Sequence, residues 1–231
     1  MSRSCYGGVT VLQTLPRGYP SMVPAENPPT TNPRVRVGTV RLLSDHWYRL
    51  HATTFDYLGD NGEWSTQVRE TYDRGNGATI LLYDLDHRTV LLTSQFRYPA
   101  YVNGHPDGML LETAAGLLDD DDPVTAIRRE AIEETGHEVG EVTHVFDVFM
   151  SPGSVTERLH FYAAPYSAET RRTAGGGLVD EGEHITVVEL GIDEALDRIV
   201  DGRIADAKTI MLLQWSVLRG PFSGSGRGAQ G

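Results

Sequence analysis

The chain has 231 residues, 39% of them hydrophobic and 23% charged, with a formal net charge of −12. That length supports one sizeable core with a small accessory element, and so acidic a surface repels nucleic-acid phosphates, which argues against a general DNA or RNA binder. A single cysteine, Cys5, builds no disulfide framework and suits a reducing cytoplasm, and no apolar run reaches the roughly 18 residues of a membrane span.

Residues 1–34 read as an irregular arm. Six of the twelve prolines stand there (Pro16, Pro20, Pro24, Pro28, Pro29 and Pro33), and proline fixes φ and removes a backbone donor. The opening "MSRSCYGGVTVLQTLPRGYP" has no continuous apolar region, so no secretion signal is expected. "RVRVGTVRLL", "WYRLHATTFDYL" and "STQVRETYDR" alternate apolar and polar residues as half-buried strands do. "GDNGEW" between the second and third carries an Asn-Gly turn signal, so residues 35–73 predict a small antiparallel sheet. "RGNGA" reads as a turn, and "TILLYDLDHRTVLLTSQFR" as a hairpin turning at Asp86-His87-Arg88. "MLLETAAG" reads as a short strand ending in a loop. Pro123 suits the first turn of a helix that runs to about Thr135, with Gly136 as its stop. "THVFDVFMS", "LHFYAAPY" and "HITVVELG" are further strands, and "IDEALDRIVDG" and "DAKTIMLLQWSVLRG" are amphipathic helices closed by glycine. The tail, residues 220–231, is glycine-rich and expected to be flexible. Strands layered with helices predict an α+β fold with a helix-sheet-helix core.

The stretch "GLLDDDDPVTAIRREAIEETGHEVG" asks for a chemical reading. On a helix, Glu130, Glu133 and Glu134 share one edge, because residues three and four apart are neighbours. Like charges so placed destabilise a bare helix by a few tenths of a kcal/mol per pair; a hard divalent cation that takes carboxylate oxygens removes that repulsion. Arg129, four before Glu133, can orient it. Glutamate spacing alone favours the plainer reading, an exposed acidic helix with glutamates chosen for propensity.

The order of residues goes further. "REAIEETG" after the loop "AAGLL" resembles the Nudix box, G-x5-E-x7-R-E-U-x-E-E-x-G-U with U apolar, in Arg129, Glu130, Glu133, Glu134 and Gly136. Ala131 takes the first U and His137 the last. Two departures are visible: the spacing from Gly116 to Arg129 is one residue short, and the upstream Glu is replaced by Asp121 or Asp122. "QFRYPAYVNG", "MSPGSVTERLHFY" and "AGGGLVDEGEHI" extend the likeness to the GDP-mannose hydrolase branch of the Nudix superfamily, over about residues 41–213. The resemblance implies an α/β/α sandwich with a small N-terminal antiparallel β-sheet that helps build a homodimer. Along the chain it implies an arm (1–34), that sheet (35–73), a Nudix hydrolase domain (74–219) and a tail (220–231).

The same resemblance implies a cytoplasmic Mg²⁺-dependent hydrolase, with Mn²⁺ as the alternative ion, cutting the diphosphate of a nucleotide sugar, GDP-mannose first, with no nucleic-acid or membrane partner. Metal falls to Glu130, Glu134 and the Ala115 carbonyl, with Glu133 beside them. A further acid on the loop "GGGLVDEGEHI", either Glu183 or Glu181, serves as metal ligand or general base, and the three glycines before it are expected to form a mobile segment. Substrate contacts fall to Ala115, Gly116, Leu117, Asp180 and Glu157; to Arg97, whose guanidinium suits phosphate; to Lys208 on the sugar-phosphate side; and to Arg69 and Glu70 on a nucleotide-facing strand, where Val68 stands in place of an expected lysine. Trp47 is placed to stack on the base. Two other readings stand beside this one: an ADP-ribose or other nucleotide-sugar pyrophosphatase, and a non-catalytic nucleotide-sugar sensor, which would be expected to lose box acids.

Overall fold

A computed structural model describes residues 32–178 and 184–224. The chain first forms a three-stranded antiparallel sheet of β1 (Val35–Asp45), β2 (Arg49–Leu58) and β3 (Trp64–Asp73) in the order β1-β2-β3. Gly62, at φ 78°, makes the turn between β2 and β3 that the Asn-Gly pair predicts.

The second sheet holds seven strands. β4 (Gly77–Asp84) and β5 (Thr89–Phe96) form its central hairpin, and β6 (Met109–Glu112) and β7 (Ala114–Leu117) pair with β5 and β4 respectively. β8 (Thr143–Phe149), β9 (Arg158–Pro165) and β10 (Thr186–Gly191) complete the order β10-β5-β4-β9-β8. β4 and β9 run parallel and every other pairing is antiparallel, so the sheet is mixed. β4 reads "GATILLYD" because both of its faces are covered, as central strands require.

Helices cover the two faces. α2 (Pro123–Thr135) packs Ile127 and Ala131 against Ala78, Ile80, Leu82 and Tyr162. On the opposite face α3 (Ile192–Val200) and α4 (Ala207–Leu218) bring Ile192, Ala195, Leu212 and Leu213 onto Leu81, Leu92 and Phe161. The result is the α/β/α sandwich expected of the box.

Four local differences from the sequence reading have physical reasons. Gly77 and Ala78 belong to β4 rather than to a turn, because a Cβ on Gly77 would lie 2.9 Å from the Gly116 carbonyl oxygen across the strand pair. "MLLETAAG" is two strands, broken at Thr113, whose backbone N–H donates to Thr209 Oγ1 at 2.7 Å instead of continuing one ladder. A five-residue helix, α1 (Tyr98–Val102), follows Arg97, with Pro99 in its first turn. The tail does not begin flexibly at Gly220: Phe222 is buried among the α4-side core residues and donates its N–H to Ser216 O at 2.9 Å.

Candidate active site

The metal-helix candidate, α2, is built as its sequence dictates. Asp122 caps it, its carboxylate accepting from the Val124 and Thr125 N–H groups at 3.0 and 3.2 Å and from Thr125 Oγ1 at 2.6 Å. Those bonds hold the Asp122 carboxyl below the usual carboxylate range. Asp119 and Asp121 lie 3.8 and 3.7 Å from Arg129, which also reaches Glu130 at 3.2 Å and Glu133 at 3.8 Å. Three of the four aspartates therefore have separate tasks: Asp122 caps the start of the helix, and Asp119 and Asp121 balance the arginine that also reaches Glu130 and Glu133. At the other end Gly136 adopts φ 78°, the left-handed stop that glycine allows.

The glutamates of this helix are covered to different degrees. Glu134 is 3% exposed, and the side chains of Glu130 and Glu133 are 13% and 27% exposed. Glu130 packs into a notch made by Gly116: a Cβ at that position would sit 2.2 Å from the Glu130 carboxyl carbon. The box glycine is thus required for space, and its absence of a side chain seats a carboxylate against the β7 backbone next to Ala115. Gly77 lies across from this notch, with its would-be Cβ 3.7 Å from Glu157 Oε1. Glu130, Gly116 and Glu157 are therefore brought to one end of the central strands.

Glu157 is held from a different direction. Arg74 lies 3.5 Å from it, and the Arg74 guanidinium also stands 5.6 Å from the ring centre of Tyr48. Tyr48 meets Tyr72 and Trp47 edge-on. The loop carrying Glu157 is tied to β3: Tyr72 N donates to Ser154 O at 2.7 Å, Thr156 N to Tyr72 O at 3.1 Å, and Thr156 Oγ1 to Asp73 at 3.0 Å. Contacts thus run from Trp47 through Tyr48 and Arg74 to Glu157. Trp47 itself is 61% exposed at the β1–β2 hairpin tip, not in a core. Arg69 and Glu70 are exposed on β3, and Arg69 turns along its own strand to Val68 O and Gln67 Oε1, both at 2.8 Å.

A third group gathers on the other side of β5. Arg97 ends that strand and Lys208 lies in the first turn of α4, and both reach Glu112 at 2.7 Å. Lys208 is 9% exposed, so it is not a solubilising surface lysine. Sequence reasoning missed Glu112 and Arg74. The available signal for Glu112 was a lone carboxylate inside the apolar run "MLLETAAG", since a buried acid needs partners.

The triple-glycine segment is packed where a mobile one was expected. Gly176 N donates to Glu134 O at 2.9 Å and Gly177 N to Glu133 O at 3.0 Å, so the segment satisfies carbonyls at the end of α2. Gly175 takes φ 71°, and a Cβ there would lie 2.6 Å from Glu134 O. The loop acids Asp180, Glu181 and Glu183 lie outside the described residues. Among the described residues no three His, Cys, Asp or Glu side chains form a group that could hold an ion by themselves. Glu130 against the β7 backbone and the buried Glu134, four residues on along the same helix, nevertheless offer hard oxygen donors, which fit a divalent cation completed by a main-chain carbonyl, water or phosphate.

His137 explains its place at an apolar position of the box. It is buried, meets Tyr166 edge-on, and its Nδ1 lies 3.0 Å from Thr170 Oγ1. Burial, with Arg171 nearby, lowers its pKa, so the ring is a neutral filler.

Known proteins resemble this chain over most of its length. Residues 34–72 match the GDP-mannose pyrophosphatase NudK N-terminal domain, and residues 73–213 match the NUDIX domain. A GDP-mannose pyrophosphatase of Yersinia enterocolitica is 56% identical over 188 residues, covering 80% of this chain and 97% of that protein. One from Pectobacterium atrosepticum is 57% identical over 183 residues, with 79% and 94% covered, and one from Klebsiella pneumoniae is 50% identical over 185, with 80% and 92% covered.

Proposed function

Because the chain belongs to the Nudix superfamily, in its GDP-mannose pyrophosphatase branch, we propose that it hydrolyses GDP-mannose to GMP and mannose 1-phosphate with the residues assembled around α2. The observation that carries this reading is the seating of Glu130 in the Gly116 notch, within the stretch that matches the NUDIX domain, in a chain 50–57% identical to GDP-mannose pyrophosphatases. Nudix hydrolases generally use divalent metals, and in this reading the ion is Mg²⁺, with Mn²⁺ as the alternative. Glu130, Glu134 and the Ala115 carbonyl would hold it, with Glu181 or Glu183 from the following loop. Bound there, it supplies neutralisation of the diphosphate and a lowered pKa for the attacking water.

The chain's own residues do the rest. Arg129, balanced by Asp119 and Asp121, keeps Glu130 and Glu133 turned to the same edge. Glu157, fixed by Arg74, stands where it can hydrogen-bond substrate or the attacking water. Arg97 presents a planar fork to the phosphate oxygens, and Lys208 adds positive charge beside it. Ala115, Gly116, Leu117 and Asp180 would border the substrate, and Arg69, Glu70 and Trp47 would meet its nucleoside part. Support for Trp47 is its exposure on the hairpin tip and its contact with Tyr48.

A homodimer belongs to the same proposal. Val40, Leu42, Leu43 and Val68 are 38–56% exposed on the three-stranded sheet, which gives that sheet apolar surface to cover. Cytoplasmic location is likewise proposed; among the described residues no helix is long and apolar enough to cross a membrane.

The decisive test of substrate is one assay with Mg²⁺ across GDP-mannose, ADP-ribose and other nucleotide sugars. Release of GMP from GDP-mannose at the highest kcat/KM is expected. Preference for ADP-ribose would overturn the substrate and keep the Nudix chemistry.

A further inference from the structure

Glu112 is the end of β6 and is 4% exposed. A carboxylate so placed is destabilising unless it is paired and hydrogen-bonded. Its two oxygens take two different cations: Oε2 accepts from Arg97 Nε and Oε1 from Lys208 Nζ, each at 2.7 Å. Lys208 also lies 3.1 Å from Asp206, which caps α4 through Thr209 N and Oγ1. The strand end and the helix start are thereby joined through one acid.

The manner of the Arg97 contact carries the inference. Only Nε is engaged, and among the described residues neither Nη group has a partner. The Arg97 side chain remains 39% exposed while Glu112 is covered. A bond to Nε fixes the guanidinium plane and leaves its two-pronged Nη edge available, and that edge can grip phosphate oxygens in a way a lysine cannot. A carboxylate whose only task was to neutralise Arg97 could take Nε and Nη together; here its second oxygen goes to Lys208.

We propose that Glu112 is a positioning residue that presets Arg97 for the substrate diphosphate and ties Lys208 to it, so that the two cations act as one unit. This rests on the reading of Arg97 as a phosphate contact. Glu112 does not touch substrate; it acts through Arg97. Pre-set geometry of this kind spares the ordering of a long side chain when substrate arrives.

The test measures KM and kcat for GDP-mannose with Mg²⁺ in the full chain, for Glu112→Gln, Arg97→Ala, the double variant and Arg97→Lys. Glu112→Gln is expected to raise KM about tenfold, roughly 1.4 kcal/mol, and to change kcat much less. In the Arg97→Ala background, where only the tie to Lys208 is left to lose, it should add a much smaller rise. Arg97→Lys, which keeps the charge and loses the fork, should resemble Arg97→Ala and reads the same point if Glu112→Gln folds poorly. A raised KM in Arg97→Ala with an unchanged KM in Glu112→Gln, equal effects of Glu112→Gln in both backgrounds, or a wild-type KM in Arg97→Lys would overturn the proposal alone. An unchanged KM in Arg97→Ala would overturn the phosphate reading of Arg97, and the proposal with it.

Discussion

The two sheets of this molecule differ in what covers them. In the seven-stranded sheet, β4 is buried along six consecutive residues, and Phe161, Ile80 and Leu81 have no exposed surface. In the three-stranded sheet only Ala52 is buried among the apolar residues, and β1 is exposed along most of its length. The seven-stranded sheet is stabilised by helices that the same chain supplies on both faces. In the three-stranded sheet the strand pairing is satisfied and most side chains are left uncovered, and a sheet this small needs an apolar face that is packed against something to be stable by itself. The difference teaches where chemistry and where assembly should be sought. Fixed positions for charged groups need the covered sheet, and the uncovered one offers surface to a second copy or to the flat part of a substrate.

The comparison is sharpest in stability. Phe161→Ala should cost about 3–5 kcal/mol in denaturant unfolding, as large-to-small core changes do. Leu42→Ser should change the unfolding of an isolated chain by no more than about 0.5 kcal/mol. Its larger effect should be on assembly: sedimentation should show a dimer for wild type and a shift toward monomer for Leu42→Ser combined with Val68→Ser. A core-sized loss at Leu42 in dilute monomer would break the contrast between the sheets.

A smaller stability effect with a large functional one is expected at the junction of β7 and α2. Gly116→Ala places a methyl in the space of the Glu130 carboxylate. Overpacking of this kind costs about 1–3 kcal/mol, while displacement of Glu130 should lower kcat by roughly a hundredfold, since small misplacements at a reacting centre have effects of that size. Wild-type turnover in Gly116→Ala would show that the Glu130 seat is unimportant.

The smallest effect concerns pH. The folded pKa of His137 lies below its unfolded value of about 6.5 because burial disfavours the charged ring. The unfolded chain therefore takes up the proton first as pH falls. The stability of the neutral ring is complete above the unfolded value and declines as pH drops through and below it. Melting temperature should accordingly fall between about pH 7 and pH 5, and His137→Gln should flatten part of that slope. An unchanged slope would place the titration elsewhere.

The sequence disclosed the sandwich well because its signals are local. Alternation marks the strands of the first sheet, Pro123 and Gly136 bracket α2, and the order Arg129-Glu130-Ala131-Ile132-Glu133-Glu134 needs no tertiary knowledge. What it concealed depends on distance in the chain. Glu112 meets Lys208 across 96 residues, and Arg74 meets Glu157 across a loop that returns to β3; neither pairing leaves a periodic trace. The glycines 175–177 look like a hinge as a string of letters, yet their backbone groups bind the end of α2, a use of glycine that only the neighbouring carbonyls reveal. Phe222 was hidden in the same way, one aromatic among glycines that finds the core.

The buried carboxylate of α2, with the ion it would hold, is proposed to drive hydrolysis of GDP-mannose. That role is tested most directly by kcat for Glu134→Gln with GDP-mannose and saturating Mg²⁺, measured beside the melting temperature of the same sample. A loss of about a thousandfold or more, roughly 4 kcal/mol of barrier, is expected with folding retained. Turnover within tenfold of wild type would contradict it.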